Sequence, residues 1–201
     1  MSTLMEMSAS RTTEEYLSEL TSDLQRQVMS IAALPRVVWS ERLAFELVQV
    51  VRPEITQDEV MTAAKRVRFS SCVERRREQW LIIEPTRTEL LARLCQQEST
   101  NSIMAMRSVI IKFAINGEDN RNGNGKDFYS FEACYQVALM PGMAERGFQK
   151  LADLVKGAAE YRRQMLISEL LRLENHFRSL GVPIPSWLVG LMGAKPTRTI
   201  V

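Results

Sequence analysis

The sequence predicts a mainly α fold, in which an N-terminal helical module with one β-hairpin is followed by a helical bundle. Three observations indicate it. Apolar residues recur at helical spacing through most of the 201-residue chain, capping-box patterns open several of these segments, and one stretch of β-branched and aromatic residues surrounds a polar turn. With 45% hydrophobic residues, the chain can bury one sizeable core or two small ones.

The first predicted helix begins after Thr12, because Glu15 follows three residues later, at the spacing of a capping box. Apolar residues then recur at helical intervals to about Ala33. Pro35 ends this helix, since proline disfavours helical geometry in the residue before it.

Two more helices are predicted to follow. Ser40 can cap the second, which Arg52 and Pro53 close. Thr56 and Glu59 repeat the capping-box spacing and open the third.

A β-hairpin is predicted between residues 68 and 84. Two runs of hydrophobic, β-branched or aromatic residues, at 69–73 and 80–83, surround a charged segment, and this arrangement is typical of paired strands around a turn. Thr86 and Glu89, again at capping-box spacing, then begin a fourth helix.

The second half is predicted to be helical. Residues 103–115 are strongly apolar, 116–127 are rich in Asn and Gly and predict a loop, and 128–139 resume the helical pattern. Residues 145–180 carry the longest helical pattern, which Gly157 can divide into two helices.

The order of elements over residues 16–94 is similar to the winged-helix region that follows the nucleotide-binding core in STAND-type signalling ATPases. The matching phrase is FSSCVERRR at 69–77, WLIIEP at 80–85 and RTELL at 87–91. That family has a nucleotide-sensing histidine just before the last helix, where this chain has Ile83 and Glu84, and no GxxxxGK[ST] loop occurs. The resemblance therefore implies a winged helix without ATP binding, followed by a superhelical or repeat region.

These patterns predict two modules. Residues 12–98 form the winged-helix-like module and residues 102–192 the helical bundle module. We expect residues 1–11 and 193–201 to be flexible termini.

Charge and cysteine content limit the classes of function. The 26 basic and 24 acidic residues give a formal charge of only +2, so any binding of nucleic acid must come from a local patch. The three cysteines, Cys72, Cys95 and Cys134, lack metal-ligand spacing and predict buried free thiols in a reducing cytoplasm. No signal-like or membrane-spanning segment is evident, so we expect no membrane partner.

Basic residues cluster at the end of the third helix and on the hairpin. The candidate nucleic-acid contacts are Lys65, Arg66, Arg68, Arg75, Arg76 and Arg77. Cations of this kind neutralise phosphates, but they also complement the carbonyl end of a helix and are common at exposed turns. Glu74 and Glu78 flank the arginines and weaken the patch.

Signals for chemistry are weak. Residues 120–125 match the front half of an EF-hand loop, but Phe131 stands at position 12 and Glu132 comes one residue late, so we expect a polar loop and no cofactor or metal. His176, the single histidine, has no neighbouring nucleophile in the sequence. We therefore do not expect an enzyme.

The predicted function is that of a non-enzymatic adaptor, regulatory or assembly protein, which docks a protein partner on its helical bundle. Eleven methionines can make an adaptable docking surface, although core filling is their commoner use. The alternative is a nucleic-acid-binding regulator or packaging protein that uses the basic hairpin. Self-association into a homo-oligomer stays open.

Overall fold

The computed structural model describes residues 11–76, 79–119 and 124–193. Within this part of the chain there are ten helices and a single two-stranded antiparallel sheet, so the predicted mainly α fold with one hairpin is confirmed. The predicted flexible termini fall almost wholly outside the described residues. The helices are α1 Thr13–Ser18, α2 Asp23–Ala32, α3 Glu41–Val51, α4 Gln57–Arg68, α5 Thr86–Gln97, α6 Thr100–Asp119, α7 Asn124–Ala138, α8 Ala144–Gly157, α9 Glu160–Ser179 and α10 Ser186–Gly193; the strands are β1 Val73–Arg76 and β2 Gln79–Ile82.

The predicted first helix is two helices. The capping box of Thr12 and Glu15 opens α1 as expected, but α1 ends at Ser18. Ser22 adopts an extended backbone and accepts a hydrogen bond from the backbone N–H of Gln25, which starts α2. Apolar periodicity runs through both helices and hides this second cap, because serine at an N-cap interrupts the backbone without interrupting the pattern.

The predicted starts of α3 and α4 are confirmed. The Ser40 side chain accepts from the backbone N–H of Leu43, and Thr56 and Glu59 make both hydrogen bonds of a capping box. The predicted capping box of α5 is wrong, because Thr86 is the first helical residue and is buried.

The hairpin is confirmed and is joined by a third segment. Val73 is opposite Ile82 in the antiparallel pair. Val38, just before α3, exchanges two backbone hydrogen bonds with Trp80, at N–O distances of 2.8 and 3.1 Å. Trp80 is fully buried, so β2 anchors the hairpin to the helical core.

The predicted loop at 116–127 is wrong at both of its ends. Helix α6 continues to Asp119 and α7 begins at Asn124. Residues 120–123, which hold most of the EF-hand-like segment, lie outside the described chain. Packing of α6 against α3 and α7 outweighs the propensity cost of a glycine such as Gly117, which is about 1 kcal/mol.

The long helical pattern in the second half divides after Gly157, as predicted. Gly181 ends α9 with a φ of 69°, a backbone conformation that glycine adopts without steric cost. Its N–H donates to the carbonyl of Arg178 and the N–H of Val182 donates to that of Phe177, the pattern of a Schellman motif.

Two hydrophobic cores organise the described residues. The first is built from α1 to α5 and the hairpin, and it also includes Met106, Ile110 and Tyr129 from α6 and α7. The second joins the end of α7 to α8, α9 and α10 around Tyr135, Phe148 and Phe177. The predicted boundary between residues 98 and 102 stays a prediction. No helix of the described chain combines the length and apolar character that crossing a membrane requires.

Candidate functional site

A groove with a cavity volume of about 310 Å³ lies between the hairpin and α9. Its floor comes from the segment before α3, from α5 and from α7. The apolar side chains that line it are Val37, Leu81, Ile82, Phe131, Met165, Leu166 and Leu173. The charged ones are Arg36, Glu74, Glu84, Arg87, Glu169 and Arg172.

Strand and helix periodicities bring these side chains to one place. Glu74 and Leu81 are a cross-strand pair, and side chains of such a pair project from the same face of a sheet. On α9, Met165, Glu169 and Leu173 are spaced four residues apart and therefore share a helix face. The groove thus has a strand wall and a helical wall.

Arg36 connects the floor of the groove to its helical wall. Its guanidinium donates to Glu169 on α9 at 3.0 Å and lies 4.4 Å from the ring centroid of Phe131. Its Nε is 4.0 Å from a carboxylate oxygen of Glu132, which is fully buried. Since a buried cation is costly unless paired, these contacts hold Arg36 in one position at the base of the groove.

Arg87 forms another charged part of the floor. Its guanidinium donates to the Tyr135 hydroxyl at 3.0 Å and to Glu84 at 3.4 Å. Burial raises the pKa of Tyr135, so the hydroxyl stays protonated at neutral pH and acts as a neutral acceptor. The Nε of Arg87 has no hydrogen-bond partner among the described residues.

A buried polar network lies behind the floor. The Gln136 amide donates to the carbonyl of Leu34 at 3.1 Å and to Glu132 at 2.8 Å, and its oxygen accepts from Arg107 at 2.6 Å. Glu132 also accepts from the backbone N–H of Arg36. Burial lowers the pKa of the Arg107 guanidinium from its ordinary value. The network fixes the segment before α3 against α7.

The six predicted basic contacts have different surroundings. Arg68 forms an ion pair with Glu41 at 3.2 Å and is half-buried, so it contributes little to an exposed patch. Lys65 and Arg66 are exposed and form no ion pair with any described residue. Arg76 belongs to β1, but its side chain lies outside the description, as does the whole of Arg77.

Arg75 stacks on Phe69, which the sequence reasoning did not identify as a functional candidate. The guanidinium carbon lies 4.8 Å from the ring centroid, and the Phe69 side chain is 66% exposed. Phe69 follows Lys65 by four residues and Arg66 by three, spacings that bring side chains together at the end of a helix. The sequence signal that could have identified Phe69 is a large aromatic residue directly after a helix end that is rich in basic residues.

The cysteines agree only in part with the expected buried thiols. Cys72 is buried, Cys134 is half-buried and Cys95 is exposed. Burial raises the pKa of the Cys72 thiol and so keeps it in the neutral form.

The backbone of His176 lies in α9, and its side chain is outside the description. Across the described ranges, no three His, Cys, Asp or Glu side chains come together as metal ligands would.

Comparison of the chain with protein-family models, with curated proteins and with solved structures gives no match.

Proposed function

We propose that this chain is a non-enzymatic adaptor, regulatory or assembly protein, and that the groove between the hairpin and α9 receives an amphipathic helix of a protein partner. The observation that carries the proposal is the apolar groove itself, which has charged residues along both walls. Its volume is at the lower end of the range for ligand sites, about 300 Å³ or more, and suits a few apolar side chains better than a large cofactor.

The charges along the groove favour one kind of helix. Glu74 and Glu84 lie along the strand wall, where Arg87 pairs with Glu84. Arg36 and Arg172 both pair with Glu169 on the helical wall, so the strand side carries an excess of negative charge and the helical side an excess of positive charge. A helix with an apolar stripe would therefore bind best with lysine or arginine along the edge that faces the hairpin and an acidic residue facing α9. Complementary charges of this kind fix orientation and exclude wrong partners.

Met165 supplies the adaptable part of the surface. Its side chain is 40% exposed at the edge of the groove, although it is a large apolar group. A thioether chain with three rotatable bonds can repack against different apolar side chains of a partner.

The element order supports the winged-helix part of the proposal. Helices α2, α3 and α4, the hairpin and α5 follow one another in the order expected from the sequence, and the bridge between Val38 and Trp80 adds a third segment to the hairpin. In this proposal the unit over residues 12–98 is a scaffold that supplies the strand wall, and the bundle over 102–192 supplies the helical wall. The free thiol of Cys72 is consistent with a cytoplasmic location.

Selection of binding peptides tests the groove. A displayed library of amphipathic helical peptides of about 16 residues, roughly 24 Å long, is selected on the immobilised full chain. We expect selected peptides to share apolar residues at i, i+3 or i+4 and i+7, with basic residues along one edge. Met165→Glu should weaken their binding by about tenfold or more, because it buries an unpaired charge beside Glu169.

Tyr161→Glu is the matched control. Tyr161 is on the same helix one turn earlier, is 75% exposed and does not line the groove, so its change should alter affinity by less than about twofold. Selected peptides that bind both variants with the same affinity as the unchanged chain would contradict the proposal. Self-association that Met165→Glu abolishes would instead identify a second copy of the chain as the occupant.

A further inference from the structure

A second surface of the molecule combines exposed cations with an exposed aromatic ring. Lys65 and Arg66 in the last turn of α4, Phe69 at its C-cap and Arg75 on β1 form it, and we call these four residues the basic-aromatic surface. Arg75 is next to Glu74 in β1, and neighbouring side chains in a strand project to opposite faces. This surface is therefore separate from the groove, which Glu74 lines.

The cations of this surface differ from most arginines of the chain. Arg36, Arg68, Arg87 and Arg93 are each held by a carboxylate. Lys65, Arg66 and Arg75 form no ion pair with any described residue, and Arg75 instead contacts an aromatic face. Cations that no carboxylate of the described residues pairs with give a positive local field that attracts an anion.

Phe69 adds a second, independent feature. The Phe69 ring is 66% exposed and lies against the Arg75 guanidinium, so an accessible aromatic face stands beside the cations. The guanidinium carbon of Arg75 lies over one face of this ring, 4.8 Å from the ring centroid. Proteins that bind single-stranded nucleic acid stack bases on aromatic side chains and bind the phosphates with neighbouring cations.

The charges of α4 favour a single strand over a duplex. The exposed start of α4 carries Asp58 and Glu59, and Glu59 is held ionised by the capping box, which lowers its pKa. A duplex groove that received the whole helix would bring its phosphates towards these carboxylates. A single-stranded nucleic acid needs to contact only the last turn of α4 and strand β1.

The geometry points to single-stranded nucleic acid as a ligand of the basic-aromatic surface, with one base stacked on Phe69 and phosphates bound by Lys65, Arg66 and Arg75. This binding is additional to the docking of a protein segment in the groove and does not depend on it.

Fluorescence anisotropy tests this inference with the full chain. The probes are labelled single strands of roughly 15 nucleotides, one of thymidylates and one of uridylates, and a mixed-sequence duplex of the same length. We expect saturable binding to the single strands that exceeds binding to the duplex and weakens strongly between about 50 mM and about 200 mM salt. The two single strands distinguish DNA from RNA as the source of the ligand.

Two pairs of variants locate the binding. Phe69→Ala should weaken single-strand binding by about tenfold, and Tyr161→Ala, which removes an exposed aromatic from the other half of the chain, should leave it unchanged. The double variant Lys65→Glu/Arg66→Glu should abolish binding. The double variant Lys150→Glu/Lys156→Glu changes the net charge equally on exposed positions of α8 and should not abolish it.

Three results would overturn the inference: no binding at low salt, tighter binding to the duplex, or equal losses in the test and control variants. Circular dichroism of each variant shows whether it is folded. Since all positions changed are exposed, we expect native spectra throughout.

Discussion

The Arg87 side chain shows how a buried cation depends on neighbours that are distant in sequence. It is 4% exposed, and its guanidinium donates to a tyrosine that is 48 residues further along the chain. One of its nitrogen atoms already lacks a partner among the described residues. Because Arg87 is almost fully buried, loss of the Tyr135 hydroxyl would leave one of its N–H groups without an acceptor.

Tyr135→Phe should lower the free energy of unfolding by about 1–3 kcal/mol, because it leaves a buried guanidinium N–H without its acceptor. Tyr161→Phe removes the same atom from an exposed position and should change stability by less than about 0.5 kcal/mol. Urea unfolding of both variants measures the difference. Equal effects would mean that Arg87 does not need the tyrosine.

Contacts of this kind could not be predicted from the sequence. Glu132 accepts from a backbone group 96 residues away, and Gln136 donates to a carbonyl 102 residues away. Their neighbours in the sequence indicate only a position on a helix. In the sequence, Glu132 is one residue away from the last ligand position of a calcium loop, whereas in the fold it is a fully buried hydrogen-bond acceptor.

Helices α7 and α8 cross where Gly147 meets Ala138. A Cβ built on Gly147 would lie 2.3 Å from the backbone nitrogen of Ala138 and 2.4 Å from its Cα. Backbone atoms cannot move aside as the end of a long side chain can. Gly147 thus sets the distance between the two helices, and the distance determines how the second core packs.

Gly147→Ala should destabilise the protein by about 3 kcal/mol or more, because the methyl group pushes the two helices apart. Gly157→Ala is the matched control: a Cβ there meets nothing within 4 Å, and alanine is the better helix former by about 1 kcal/mol. Thermal unfolding should give a lower midpoint for the first variant and an equal or higher midpoint for the second. A normal midpoint for Gly147→Ala would show that the crossing can relax.

At the scale of helices and strands, local signals succeeded where one interaction determined the structure. Caps at Ser40 and Thr56 and the hairpin were predicted because adjacent residues specify them. The break at Ser22 and the continuation of α6 to Asp119 were missed. In the first case a cap lay within an unbroken apolar pattern, and in the second tertiary packing overrode the propensity of Asn and Gly.

At the scale of the whole molecule, a network of polar side chains lies between the two hydrophobic cores. Gln136 and Glu132, on α7, hold the segment between α2 and α3, and Arg36 reaches from that segment to α9. The groove lies beside this polar network, and each half of the chain supplies one of its walls. A ligand in the groove would therefore contact both halves of the chain at once.

Methionine-methyl NMR of the full chain tests groove docking most directly. With 13C-methyl methionine, Met165 reports from the groove, while Met29 and Met106 are fully buried in the first core and serve as internal references. Addition of a selected helical peptide should shift the Met165 signal, identified by Met165→Leu, and leave the two references in place. Unshifted Met165 at saturating peptide would contradict the account, because the bound helix would then lie elsewhere on the protein.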